Sequence, residues 1–229
     1  MYRDRTLKGF TAFLVALSGQ FVSTIGSAIT SFGVSIWLFQ QTQQATSITW
    51  ANAAFLGPLL LLAPLAGTVV DRGNRKRIML LTDSVAGVTT VVMLVLLRAD
   101  LLQAWHIYAL NFLNGAVGAF QWPAFSASVT LMVKKEQYSR AAGFMQLANP
   151  TSRVVAPAIA ASLLAIANFE LLLWVDLATF VFAVFTLWLV AVPQPPVSAE
   201  TTQNVPFLTA TKRGFTYVCL LYTSPSPRD

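Results

Sequence analysis

Six stretches of this chain are apolar for about twenty residues or more, and short polar links separate them. They cover Phe10–Phe39, Ser47–Val70, Ile78–Leu97, Trp105–Val133, Ala141–Ile166 and Leu171–Val192. A helix rises about 1.5 Å per residue, so about twenty apolar residues cross the hydrocarbon layer of a bilayer. The pattern therefore predicts six membrane-crossing helices between residues 10 and 193, after an N-terminal tail of residues 1–9. The last run closes at "VPQPPVSAETTQN", where prolines and polar residues cannot continue a helix. The first run is far longer than the apolar core of a signal peptide and is read as a span that stays.

Composition sets the solvent. Of 229 residues, 55% are hydrophobic and 10% charged, against about 25% charged in a soluble domain. One globular core cannot hide that much apolar surface, so lipid must cover most of it. The net charge of +6 is scattered over short links and not gathered on one face, which argues against nucleic acid as a partner. The single cysteine, Cys219, cannot form an internal disulfide.

Charge then sets direction. The N-tail carries Arg3, Arg5 and Lys8, the second link Arg72, Arg75, Lys76 and Arg77, and the fourth link Lys134, Lys135 and Arg140. The alternate links "QTQQATS", "RADLLQAW" and "IANFEL" hold one basic residue, Arg98. Basic short loops stay in the cytoplasm. The expectation is a multi-pass protein of a bacterial cell (inner) membrane, with its N-terminus and post-sixth-span linker both cytoplasmic. Neither a phosphate-cradling glycine loop, a second histidine nor a second cysteine is present. We expect no enzyme, no metal and no cofactor, and a gradient as the energy source.

Within this frame the link "GTVVDRGNRKR" concentrates charge: five of its last seven residues are ionisable. Gly67 suits a close helix approach. Asp71 is expected to meet free N–H groups at the start of the third span. Asn74 is expected at the chain reversal, where asparagine tolerates a left-handed backbone. Arg75, Lys76 and Arg77 can reach lipid headgroups or a facing carboxylate.

Polar residues inside the spans point to a pathway or to helix contacts. The first span has a stripe of small residues, Gly19, Ser23, Gly26, Thr30 and Gly33, on one face, with Gln20, Ser27 and Ser31 beside it. The fourth and fifth spans carry Asn111, Asn114, Gln121, Trp122, Gln146, Asn149 and Ser152. Amides are costly in lipid unless paired or wetted, and both an aqueous cavity and interhelical hydrogen bonds answer that. The third and sixth spans read as almost uniformly apolar, hence lipid-facing. Arg153, Asp176 and Asp83 are the ionisable residues within spans. For Arg153 a structural pairing, with Asp176 if depths match, and a role in substrate or proton coupling both stay open. For the two aspartates helix anchoring is the simpler reading.

Gly67, Asp71, Arg72, Arg75 and Lys76 match the signature G-x-x-x-D-R-x-G-R-K of the major facilitator superfamily, in the link where that family carries it. Asn74 departs from its usual glycine. The resemblance implies that these residues form a conformational gate at the cytoplasmic junction of two transporter halves. It also implies that the first and fourth spans line the cavity. A second stretch, from Phe120 to Ala161, resembles the macrolide-efflux-like drug:proton antiporters. Pro123, Ala124 and Ala127 fit a P-A-x-x-A element. Ala156-Pro157 and Ala160-Ala161 fit a G-P-x-x-G-G element with alanine for each glycine, so that a helix bend rests on Pro157. Asn111 stands where many antiporters have an arginine.

The resemblance implies an all-α integral membrane protein, the six-helix N-terminal half of a twelve-helix facilitator fold. Its partners would be a small-molecule substrate, the proton, membrane lipids and a missing C-terminal half. Residues 194–218 read as a cytoplasmic linker and the start of a helix before a seventh span. Residues 219–229, "CLLYTSPSPRD", resemble translated adapter sequence and are read as an artefactual tail. The function implied is drug efflux. A sugar, siderophore or other metabolite permease, and a non-transporting six-span scaffold, are the rivals.

Overall fold

A computed structural model describes residues 7–194. Arg3, Arg5, Cys219, the linker beyond Gln194 and the tail at 219–229 lie outside the described residues. Six long helices follow in order: α1 (Gly9–Thr42), α2 (Ala45–Arg72), α3 (Arg75–Arg98), α4 (Ala104–Met132), α5 (Tyr138–Ile166) and α6 (Phe169–Leu189). Each expected span matches one helix. The helices α1, α2, α3 and α6 are long and apolar enough to cross a membrane by composition alone. The other two have 29 residues each, about 43 Å of helix. Amides and hydroxyls dilute their hydropathy.

The packing has an internal order. α1 lies against α5 and α6, α2 against α4, and α3 between α4 and α6, while α1 and α4 touch across the middle. Exchanging α1, α2, α3 for α4, α5, α6 leaves this scheme unchanged, as expected of two three-helix repeats nested in one half of a transporter. The small-residue stripe explains one seam. A methyl added at Gly19, Gly26 or Gly33 would overlap Thr186, Thr179 or Leu172 of α6. Gly115 gives the α2–α4 seam the same closeness, since its α-carbon faces the Phe55 carbonyl. Side chains absent at these points let backbones approach where lipid supplies no hydrophobic drive.

Two apolar clusters close the ends of the bundle. Phe13, Met79, Phe125 and Leu187 fill the end that holds the α2–α3 hairpin. Ile29, Leu38, Ile107 and Leu172 fill the other. Polar side chains are concentrated between them.

The hairpin corrects three expectations. Outside its own helix, nothing in the described residues lies within 4 Å of a methyl built on Gly67, which sits on a face of α2 that no other described helix covers. Asp71 belongs to the last turn of α2 and does not cap α3. Asn74 is the cap: its Oδ1 accepts from the Arg77 N–H at 3.0 Å, and its backbone is extended (φ −77°), not left-handed. Asparagine is used here for its side-chain oxygen.

Candidate functional site

Helical periodicity carries the polar residues to one place. On α1, Gln20, Ser23, Thr24, Ser27, Thr30 and Ser31 share a face at steps of three and four. On α3, Thr82-Asp83 and Thr89-Thr90 stand seven residues, or about two turns, apart. On α4, Asn111, Asn114, Gly118 and Gln121 repeat the step. These faces, with Asn52 and Phe55 of α2 and Asp176 of α6, enclose a cavity of about 330 Å³. That is within the usual range for small-molecule sites.

Two carboxylates anchor its wall. Asp83 accepts from Gln20 Nε2 at 2.9 Å on one oxygen and from Gln121 Nε2 at 2.8 Å on the other. Gln121 also donates to Gln20 Oε1 at 2.6 Å, which closes a triangle across α1, α3 and α4. Thr82 bonds Gln121 Oε1. Asp176 accepts from Ser27 at 3.1 Å and from Thr90 at 2.8 Å, joining α6 to α1 and α3. Both aspartates are more than nine-tenths buried. Asn114 accepts from Thr89 at 3.0 Å, and Asn111 donates to the Ala51 carbonyl at 3.1 Å, which fastens α4 to α2.

A second lobe of about 280 Å³ adjoins the first. Gln20, Thr24, Phe55, Gly118 and Gln121 line both. Its remaining wall is largely apolar and aromatic: Leu17, Phe21, Leu59, Trp122 and Phe125, with Asn149 of α5 at one side.

The expected pathway residues Gln20, Ser27, Asn111, Asn114, Gln121, Trp122 and Asn149 thus fall on these two lobes. Gln146 lines neither lobe and is exposed on α5. The view of α3 and α6 as purely lipid-facing is corrected. Their apolar residues do face outward, as Leu81, Val88, Val95, Val181 and Phe185 show, but each sends an aspartate inward. A pairing of Arg153 with Asp176 is also corrected. Arg153 is exposed on α5, while both oxygens of Asp176 are engaged by hydroxyls. Pro157 lies inside α5 and, lacking an N–H, leaves the Arg153 carbonyl without its helical donor. Sequence reasoning missed Phe21, Phe55, Thr82, Thr89 and Thr90. The Thr82-Asp83 and Thr89-Thr90 doublets at heptad spacing were the available signal.

A separate set of contacts gathers at the hairpin end. Lys76 Nζ donates to the carbonyls of Val190 at 2.6 Å and Trp188 at 3.3 Å, capping the end of α6. Arg75 is buried, and its Nη1 donates to the Ala127 carbonyl of α4 at 2.6 Å. Its backbone N–H donates to Gln194 Oε1 at 3.2 Å, and Gln194 Nε2 donates to Asn74 Oδ1 at 3.4 Å. Leu7 pairs with the same exit: its N–H donates to the Leu189 carbonyl, and its own carbonyl accepts from Ala191. Asp71 is exposed.

Comparison with known proteins agrees with this architecture. The family model described as Major Facilitator Superfamily matches residues 16–224. Macrolide efflux protein A of Streptococcus pyogenes is 29% identical over 193 residues, covering 84% of this chain and 47% of that protein. Macrolide efflux protein A of Enterococcus faecalis is 29% identical over 137 residues, 60% of this chain and 42% of its own. The uncharacterized MFS-type transporter YkuC of Bacillus subtilis is 28% identical over 136 residues, 59% of this chain and 30% of its own. The chain spans about half the length, or less, of these curated relatives.

Proposed function

Since this chain belongs to the Major Facilitator Superfamily of membrane transporters, we propose that it forms the N-terminal half of a proton-coupled exporter of drugs or similar small molecules. The observation that carries this reading is the central cavity between two apolar end clusters, with buried carboxylates in its wall. Burying ionisable groups in a membrane protein is costly, and such groups mark ion or substrate pathways. The similarity to proteins named for macrolide efflux supports export. A permease for a polar metabolite is the second reading, favoured by the amides of Gln20 and Gln121 at the junction of the lobes.

In this mechanism the two halves rock about the cavity and open it to each side in turn. The hairpin residues Gly67, Asp71, Arg72, Asn74, Arg75 and Lys76 act at the cytoplasmic side. Gly67 and Asp71 lie on surface that the described residues leave uncovered, where a second half would seat. Arg75 and Lys76 hold α3 to α4 and α6, so that the hairpin moves with its half as one body. Orientation is tested by labelling Gln43→Cys and Lys135→Cys in a Cys219→Ser background. Modification from opposite sides of sealed cells is expected, and modification from one side overturns it.

The complete reading frame, expressed in a pump-deficient bacterium, tests the transport reading. Accumulation of a macrolide or a fluorescent dye should be low in energised cells and rise when an uncoupler collapses the gradient. Accumulation indifferent to both expression and uncoupler rejects export.

A further inference from the structure

A further cavity, of about 670 Å³, lies at the end of the bundle away from the hairpin and is larger than either central lobe. Its floor is the last part of α1, and its sides are the end of α5 and the start of α6. α5 and α6 each lie along α1 and meet one another only sparsely, so a cleft is left between them. Ala161 and Ala165, one turn apart on α5, keep it wide, and both are exposed. Lipid surrounds a bundle of spanning helices and has first access to such a cleft.

Polarity changes along the cleft. Gly33, Ile36 and Leu164 line one part, and Gln40, Gln41, Asn168 and Glu170 line the other. On α1 the passage from Gly33 to Gln41 covers about 12 Å of helix. Trp37 lies between them, stacked on Phe169 with ring centroids 6.2 Å apart, and Trp105 and Trp174 are exposed at the same end. Tryptophans placed in this way mark the level of lipid headgroups. The cleft is apolar at acyl depth and polar at headgroup depth.

The polar part carries an ion pair with an open side. Arg98 Nη2 lies 2.6 Å from Glu170 Oε1, and Arg98 Nε and Trp174 Nε1 donate to the same oxygen at 2.8 and 3.2 Å. Among the described residues no donor meets Oε2. A carboxylate oxygen accepts about two hydrogen bonds, so Oε2 can take a donor from outside the chain. Asn168 Oδ1 is used on the Leu171 N–H. Its amide NH2 is left, with the exposed amides of Gln40 and Gln41, to donate to phosphate oxygens. Among the described residues lining the cavity there is no lysine, arginine or histidine, so its wall offers no charge to balance an anionic headgroup.

We propose that this cleft binds one phospholipid whose zwitterionic headgroup ends in a primary ammonium. The ammonium donates to Glu170 Oε2, the amides of Gln40, Gln41 and Asn168 hold the phosphate, and the acyl chains follow the apolar part. Phosphate and ammonium are neighbours in such a headgroup, as Arg98 and Glu170 are here. A trimethylated headgroup has no N–H for Oε2. The site rests on the membrane placement of the six helices and not on what the central cavity carries.

The test is native mass spectrometry of the full chain. It is released from detergent micelles doped with equal amounts of phosphatidylethanolamine, phosphatidylcholine and phosphatidylglycerol of the same acyl chains. Saturable retention of one phosphatidylethanolamine, about fivefold or more over either other lipid, is expected. Ala165→Trp fills the cleft from an exposed position and should abolish that excess. Glu170→Gln, which removes the acceptor charge, should abolish it as well. Equal retention of the three lipids by the unaltered chain, its preference for either of the others, or an excess of phosphatidylethanolamine that survives Ala165→Trp or Glu170→Gln overturns the proposal. If Glu170→Gln yields no folded chain, the three-lipid contrast with and without Ala165→Trp decides.

Discussion

Lys76 Nζ lies 2.6 Å from the carbonyl oxygen of Val190, so the first turn of α3 caps the end of α6. The signature lysine therefore has a structural use inside its own half. The last carbonyls of a helix lack intrahelical donors, and a cation there meets both them and the negative end of the dipole. Lys76→Ala should lower stability by about 1.5 kcal/mol or more, read as a drop in melting temperature by fluorescence-detected size exclusion. Lys76→Arg should recover part of it. A melting temperature unmoved by Lys76→Ala would leave the lysine only a topological or gating role.

Gly26 and Gly67 should respond in opposite ways. A methyl at Gly26 would overlap Thr179 and come within 3.1 Å of Asp176 Oδ1. Gly26→Val should force α1 from α6 and cost about 1–3 kcal/mol or more. Gly67→Ala meets nothing among the described residues, and on a helix should stabilise it by about 0.5–1 kcal/mol. In the complete protein the same alanine should reduce efflux if a second half packs there. Equal melting temperatures for the two variants would contradict the α1–α6 seam.

Asp71→Asn tests the gate apart from the fold. Its side chain is exposed, so the variant should insert and melt like the parent chain. In the complete protein it should slow efflux several-fold. Unchanged efflux at equal expression rejects gating by this carboxylate.

Asp176 is suited to exchange a proton in place. Thr90 Oγ1 stands 2.8 Å from Asp176 Oδ2 and 3.2 Å from the Ala86 carbonyl. The hydroxyl can donate to an ionised carboxylate, or turn to Ala86 and accept from the acid, without moving a heavy atom. If Asp176 carries the coupled proton, substrate added to the weakly buffered, detergent-solubilised complete protein should release protons and lower the pH. Asp176→Asn should diminish that release. Release unchanged in Asp176→Asn would place the coupling elsewhere.

The six helices were legible because membrane crossing demands long apolar runs, and the α1 seam because Gly19, Gly26 and Gly33 repeat on one face. The amides of α4 pointed to a cavity or to interhelical hydrogen bonds, since unpaired amides do not sit in lipid, and in the structure they line the cavity and bond across helices as well. What α3 and α6 contribute was not legible. The two aspartates stood out in the sequence as ionisable residues within spans, but only the fold shows that they point into the cavity and that Asp83 meets Gln20 and Gln121. Gly67 and Asn74 misled for a related reason. A residue type states what a position permits, while the neighbours decide which permission is used. Asn74 uses its oxygen, and Gly67 faces no other described helix.

The chain enters and leaves the bundle at one place, where Leu7 pairs with the extended residues after α6, and Asn74 and Arg75 hold Gln194. A pull applied at Gln194 is therefore borne by the hairpin before it can unwind α6. Tension from whatever follows that residue would reach the signature segment directly, so that this segment would register a load before the helices do.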